Sequence, residues 1–306
     1  MDEKEAENYL KAGKILQKVV QKAKKSIQPG QKLLEIASDV EKSIYTLAMA
    51  EEGKKKAKPA FPVNLSINEN AAHFTPSLQE ELVLKESDVL KVDVGVHLDG
   101  YVTDTAFTLN FDNKHAKMIE AAEEALANAL AMAKPGATLG AIGSEIEKTI
   151  KAKGFNPVQN LTGHGLQRFE QHAAPAIPNN ARKDDRELED NHAYAIEPFA
   201  TDGKGWVKET AQTEIFALEE PKQVRNTYAR ELLDFIAEEY QTLPFALRWI
   251  EGKMKIGAFQ RKIALIELQR SGCIRGFPVL REEPGKIVTQ AEKSILFHNG
   301  KIIDLC

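Results

Sequence analysis

The chain has 306 residues, a formal charge of −4 and 42% hydrophobic residues, enough to fill one large core or two. The negative balance argues against nonspecific binding to nucleic acid, and no apolar run is long enough to span a bilayer. Cys273 and Cys306 stand far apart without zinc or redox spacing, so neither a disulfide framework nor a structural zinc is indicated and a reducing cytoplasm fits.

The N-terminal run MDEKEAENYLKAGKILQKVVQKAKK lacks the apolar core of a signal peptide. It reads as a surface helix, with Leu16, Val19 and Val20 at helical spacing and the lysines on its wet face. A Pro-Gly stop at Pro29 and Gly30 precedes an amphipathic helix carrying Leu33, Ile36, Ser38, Val40, Glu41, Lys42 and Ile44. The same pattern returns at one constant offset as Pro135, Gly136, Leu139, Ile142, Ser144, Ile146, Glu147, Lys148 and Ile150. The likeness extends from Pro62, Val63, Asn64 and Leu65 to Pro157, Val158, Asn160 and Leu161, and it points to two related α/β halves.

Between the copies, KVDVGVHLDGYVTDTAFTL reads as a hairpin, because Asp99 and Gly100 both tolerate the positive φ of a two-residue turn. That turn sets Gly95 opposite Asp104 and puts Asp93 on the same face, diagonally across. Either aspartate alone would pass for a solvated edge residue. Two together on one face repel and are disfavoured in strands, so a cation between them is the economical explanation, with Gly95 expected to leave room for it.

The second half supplies the partners. His164 in NLTGHGL lies between glycines that let the backbone approach closely, and AYAIEPFA aligns with VLKVDVGV so that Glu197 matches Asp93. Helical runs then interrupt the plan between about Pro221 and Arg281, which we read as an inserted helical subdomain at 221–281 within a catalytic unit of 1–220 plus 282–306. In KIVTQAEKSILF, alternation along one strand puts Val288, Gln290, Glu292 and Ser294 on a common face. Asp93, Asp104, His164, Glu197 and Glu292 thus form a set of four carboxylates and an imidazole, suited to two divalent cations sharing a hydroxide. No serine or cysteine nucleophile competes with metal-assisted hydrolysis. In this reading Glu197 can relay a proton, while His172 and His73, in polar loop-like surroundings, are either hydrogen-bonded surface or packing histidines or else stabilise a developing oxyanion and meet the scissile nitrogen, respectively. His97, His115, His192 and His298 are read as structural or solvent-facing.

These segments together resemble the type II methionine aminopeptidases in their compact archaeal form, over nearly the entire chain. The likeness rests on PAFPVNLSINENAAHFTP, KVDVGVHLDGYVTDTAFT, NLTGHGL, AIEPFATDGKG and VTQAE. It implies an α/β, duplicated pseudo-twofold "pita-bread" fold with a central curved antiparallel sheet, and a helical insertion that marks type II. It also implies that Asp93 holds one ion, that Asp104 and Glu292 bridge both, and that His164 and Glu197 hold the other, the ions being Co, Mn, Fe or Zn. His73 and His172 would orient substrate, Phe61 would wall the methionine pocket, and Ile215 would assist it. The implied activity is removal of the initiator methionine from nascent proteins whose second residue is small, by a cytoplasmic monomer that contacts neither membrane nor specific nucleic acid. Modestly basic residues in the insertion, among them Arg261, Lys262 and Arg270, are interleaved with acidic ones and read first as an ordinary solvated face, with docking near the ribosome as the alternative.

Three departures from the family pattern stand out: Gln171 replaces an apolar residue before His172, Lys293 and Ser294 replace His-Thr after Glu292, and Phe277 stands where a tyrosine is expected. An X-Pro aminopeptidase or prolidase-like hydrolase shares the fold and ligand set, but the insertion and AIEPFATDGKG speak against it. A non-catalytic relative binding ribosomes or nucleic acid would be expected to lose ligands, and this chain keeps all five.

Overall fold

Each half begins with the same backbone device. A computed structural model describes residues 1–52, 57–251 and 253–306, and in it Gly30 and Gly136 take φ values of 92° and 84°, a conformation open to glycine at no steric cost. Gly30 N–H donates to the Leu84 carbonyl and Gly136 N–H to Leu188. Leu33 N–H donates to Leu82, and Leu139 N–H to Arg186. Bridges between Lys32 and Val83 and between Thr138 and Glu187 complete the correspondence. The helices Leu33–Glu52 and Leu139–Ala152 follow at once. Repetition of these hydrogen bonds at matched positions makes the duplication a property of the fold as well as of the sequence.

Each of these helices pairs with another, Leu33–Glu52 with Glu3–Ser26 and Leu139–Ala152 with Ala116–Met132. The first of them starts with a capping box: Asp2 Oδ1 accepts from Glu5 N–H, and Glu5 Oε2 accepts from Asp2 N–H, both at 2.8 Å. The N-terminal helix is amphipathic as read, with Leu16 and Val19 buried and Val20 partly buried in the first-half core.

The helices cover one face of a nine-stranded antiparallel sheet. Its path runs Lys58–Pro59, Val89–Leu98, Tyr101–Asn110, Glu292–His298, Ala193–Ile196, Thr162–Gln167 and Glu170–Pro178, with Asn64–Ile67 and Lys301–Asp304 pairing beside it. In Val89–Leu98 alternation decides the faces. Leu90, Val92, Val94, Val96 and Leu98 all join the helix-packed core, so Asp93 and Gly95 are left on the other side. The hairpin turn has φ of 54° at Asp99 and 86° at Gly100.

The strands Lys208–Leu218 and Ile274–Arg281 pair directly, Leu218 opposite Ile274. Thr227–Glu239, Leu247–Ile250 and Ala258–Arg270, the helices between them, close their own core around Leu232, Ile236, Phe245 and Leu268. Arg248 ties this segment to the first half: it pairs with Glu41 and donates to Thr75 Oγ1 at 2.6 Å, while Trp249 Nε1 donates to Glu41 Oε2 at 2.9 Å. One expected element divides. The alternating run ending in ILF is two strands, Val288–Gln290 and Glu292–His298, in different sheets. Ala291 N–H leaves the ladder to donate to the Pro198 carbonyl, which breaks the run. Among the described residues no helix is long and apolar enough to cross a membrane.

Candidate active site

Five strands or strand ends bring the ligand-type side chains to one place. Gly95 lies opposite Asp104, and both Asp93 and Glu292 lie opposite Ala106 from the strands on its two sides. A methyl side chain in that row leaves the space between the two carboxylates open. His164 lies opposite Ala195, with its neighbours held against backbone: a Cβ at Gly163 would come within 2.4 Å of the Ala195 carbonyl oxygen, and one at Gly165 within 2.3 Å of that of Ala174. The glycines around His164 thus serve close backbone approach, as read. The role expected of Gly95 is corrected. A Cβ there would lie 2.2 Å from the Phe61 ring, so the missing side chain makes room for an aromatic wall and not for ions.

His164 Nε2 is 3.8 Å from Asp104 Oδ2, 3.7 Å from Glu197 Oε1 and 3.9 Å from Glu292 Oε1. Its Nδ1 faces the Gly165 carbonyl oxygen at 3.1 Å, an acceptor, so Nδ1 carries the proton and Nε2 presents a lone pair to three carboxylates. Burial holds the His164 pKa down at about 4, against the opposing effect of the Gly165 and Gln171 carbonyls. Burial also raises all four carboxyl groups, Asp104 to about 7. Neighbouring charge adds to the rise: Asp104 acts on Asp93, Glu197 and Glu292, and Glu197 on Asp93 and Glu292. Asp93 Oδ1, Asp104 Oδ1, His164 Nε2 and both Glu292 oxygens are buried without a hydrogen-bond partner. Unpaired buried acceptors are costly; Asp104, His164 and Glu292 offer ligand atoms within 4.8 Å of one another, which fits a divalent cation whose charge would reverse the cost. The oxygen and imidazole donors suit hard or borderline ions.

A cavity of about 470 Å³ opens over this floor. Phe61, His73, His172, Ile215 and Phe277 line it with Asp93, Asp104, His164 and Glu197, while Glu292 lies outside its lining. Phe61 and Ile215 are buried apolar surfaces. His73 Nδ1 meets the Pro278 carbonyl oxygen at 3.2 Å, which makes Nδ1 the donor and Nε2 an acceptor. The His172 ring stands edge-on to His164, 4.7 Å between centroids, and solvent reaches it through the cavity. Desolvation by the surrounding walls, with His164 and His73 nearby, still lowers its pKa. Phe277 packs edge-on against His73 and tilted against His172, so the residue at the expected tyrosine position braces both histidines. Lys293 points away and pairs with Asp304 at 2.6 Å, leaving the carboxylates without a competing ammonium.

Two site residues carried no clear signal. Asn64 lies opposite Asp93 and lines the cavity with a buried, unpartnered Oδ1; finding it requires knowing that Asn64–Ile67 pairs with Val89–Leu98. Gln171 was marked by its departure from the family pattern, but its contact was not foreseen. Its Nε2 donates to Asp104 Oδ2 at 3.0 Å. Of the remaining histidines, His97 Nδ1 accepts from Gly100 N–H at 3.1 Å at the hairpin turn, and His298 faces Glu3 at 3.4 Å.

The raised carboxyl groups set a pH dependence for the metal-free protein. Above about pH 6.5 His73, His97, His164 and His172 are neutral in the unfolded chain and, being lowered, in the folded one as well. In that window the folded carboxyl groups still hold protons that the unfolded chain has shed. Deprotonating them therefore costs stability as pH rises. Chelator-treated protein is expected to unfold at a lower temperature at pH 8.5 than at pH 7, and saturating Mn²⁺ to remove the difference. Equal midpoints in chelator at the two pH values would contradict the electrostatic account.

Residues 7–226 match metallopeptidase family M24. A methionine aminopeptidase of Pyrococcus abyssi is 44% identical over 300 residues, 98% of each chain. Among solved structures, a thermophilic Arx1 superposes with a TM-score of 0.87 at 20% identity, over 100% of this chain and 91% of that one. The methionine aminopeptidase of Thermotoga maritima superposes with a TM-score of 0.70 at 22% identity, over 100% and 97%. At such identities these two superpositions speak for the fold alone, a pita-bread architecture. The sequence matches carry the assignment further, and the chain belongs to metallopeptidase family M24, within its methionine aminopeptidases.

Proposed function

We propose that this chain is a dinuclear metalloaminopeptidase that removes the initiator methionine from nascent proteins when the second residue is small. The observation that carries the reading is the His164 lone pair aimed at the carboxylates of Asp104, Glu197 and Glu292 beside a cavity walled by Phe61 and Ile215. Asp93, Asp104, His164, Glu197 and Glu292 would hold the two ions, Co, Mn, Fe or Zn. Such ions, when bound, acidify a water molecule and polarise the scissile carbonyl.

The protein's own groups divide the remaining work. Glu197 sits at the mouth of the ligand set and receives the proton lost by the attacking water, then delivers it to the departing amine. His172, neutral at physiological pH, donates N–H to the carbonyl oxygen as negative charge grows there. His73 presents its Nε2 lone pair to the N–H of the scissile amide, because Pro278 has fixed the tautomer. Phe61, Ile215 and Phe277 bury the thioether chain, and sulfur contacts with the ring edges favour methionine over a branched residue. Work on new chains places the enzyme in the cytoplasm. The basic insertion suits docking near the ribosome, which cosedimentation after reversal of Arg261, Lys262 and Arg270 would test.

A substrate panel tests the assignment. With Mn²⁺ present, Met-Ala-Ser should be cleaved, Met-Leu-Ser poorly and Ala-Pro not at all. Cleavage of Ala-Pro in preference to Met-Ala-Ser would replace this reading with an X-Pro peptidase.

A further inference from the structure

We propose that Gln171 is a positioning residue that fixes the Asp104 carboxylate in the orientation a divalent cation requires, an inference that rests on the metal-site reading above. The backbone explains how it gets there. Gln167 lies opposite Glu170, but Gly165 lies opposite Ala173, so Leu166 faces two residues, Gln171 and His172. A bulge of this kind breaks the alternation of faces and re-aims side chains. Consecutive residues therefore both line the cavity.

Gln171 touches one of the ligands from this position: its Nε2 donates to Asp104 Oδ2 at 3.0 Å. Behind Asp104, the Ser294 hydroxyl donates to the Asp104 carbonyl at 2.7 Å and accepts from the Asp104 N–H at 2.8 Å. Ser294 thus fixes the backbone of Asp104, and Gln171 fixes its side chain. The held oxygen, Oδ2, is the one 3.8 Å from His164 Nε2, while Oδ1 remains buried and unpartnered. An apolar side chain at 171 would fill the same space yet leave Asp104 free to rotate toward a neighbouring carboxyl group and share its proton. The amide is therefore part of the metal site, one contact removed from the ion, and more than a wall of the methionine pocket.

The test is calorimetric titration of Mn²⁺ into chelator-stripped full-length protein, comparing wild type with Gln171→Met and with Gln171→Leu. Both variants keep bulk and lose the donor. Circular dichroism confirms the fold, and the second variant serves if the first does not fold. The Mn²⁺ Kd is expected to rise about 10–100-fold, the usual consequence of removing an outer partner of a ligand. At saturating Mn²⁺, kcat for Met-Ala-Ser should recover while KM stays near wild type. Unchanged Mn²⁺ affinity, with only KM moved, would overturn the proposal and make Gln171 a pocket wall. The two readings fail separately: wild type that binds Mn²⁺ without releasing methionine sinks the peptidase and leaves Gln171 to the titration. Wild type that binds no Mn²⁺ overturns both.

Discussion

Exchange of Glu292 for Gln is expected to abolish methionine release and, at the same time, to stabilise the metal-free chain. Both Glu292 oxygens are buried without partners, and Oε1 faces the His164 lone pair. The amide has nearly the same shape, so the place opposite Ala106 is kept. What changes is charge and donor count. One of the two oxygens becomes an N–H₂ group that cannot ligate a cation, and the negative charge that would help hold two ions is gone. The fall in activity should exceed the roughly 100-fold upper end for losing an outer partner, because a direct ligand is removed. The exchange removes a carboxyl group whose own pKa is raised by burial first and then by the charges of Asp104, Glu197 and Asp93. The melting temperature in chelator should therefore rise at pH 8 while the Mn²⁺-induced rise shrinks. Such opposed movements are the signature of a functional site that costs stability, and they separate loss of chemistry from misfolding. Asp104→Asn should behave alike. Near-normal turnover with two ions bound to either variant would sink the ligand assignment.

Replacing His172 by Ala is expected to lower kcat by about 10²–10³-fold, the range for removing one oxyanion donor, with little change in KM. Its ring stands in the cavity against His164 and Phe277, and solvent reaches it. Truncation therefore removes a donor without emptying the core, and the melting temperature should hardly move. The lowered pKa keeps the ring neutral through the working range, so the rate should show no limb from His172 titration between pH 6 and 8. Steady-state kinetics at saturating Mn²⁺ decide the matter. An effect confined to KM would make His172 a binding residue only.

The strand positions of Asp93, Asp104 and His164 were legible from local patterns. Asp99-Gly100 fixes the hairpin register, and register alone carries Gly95 to Asp104. The glycines around His164 mark a backbone approach that the Ala195 and Ala174 carbonyls realise. The duplication was legible from Pro29-Gly30 and Pro135-Gly136 because a Pro-Gly stop before an amphipathic helix is a local event. Long-range pairings were not legible. The space beside Gly95 belongs to Phe61, thirty-four positions earlier in the chain, and no periodicity reports which ring fills a gap. The break at Ala291 depends on Pro198, and alternation from Val288 to Ser294 is indifferent to it. Gln171 reaches Asp104 only because one residue bulges opposite Leu166, and a bulge leaves no mark on composition.

The most direct test of the central claim is release of free methionine from Met-Ala-Ser by chelator-stripped protein, measured before and after addition of two equivalents of Mn²⁺ per chain. The account predicts no release before addition and sustained turnover after it. Release of equal rate without metal, or none with two ions demonstrably bound, would contradict it.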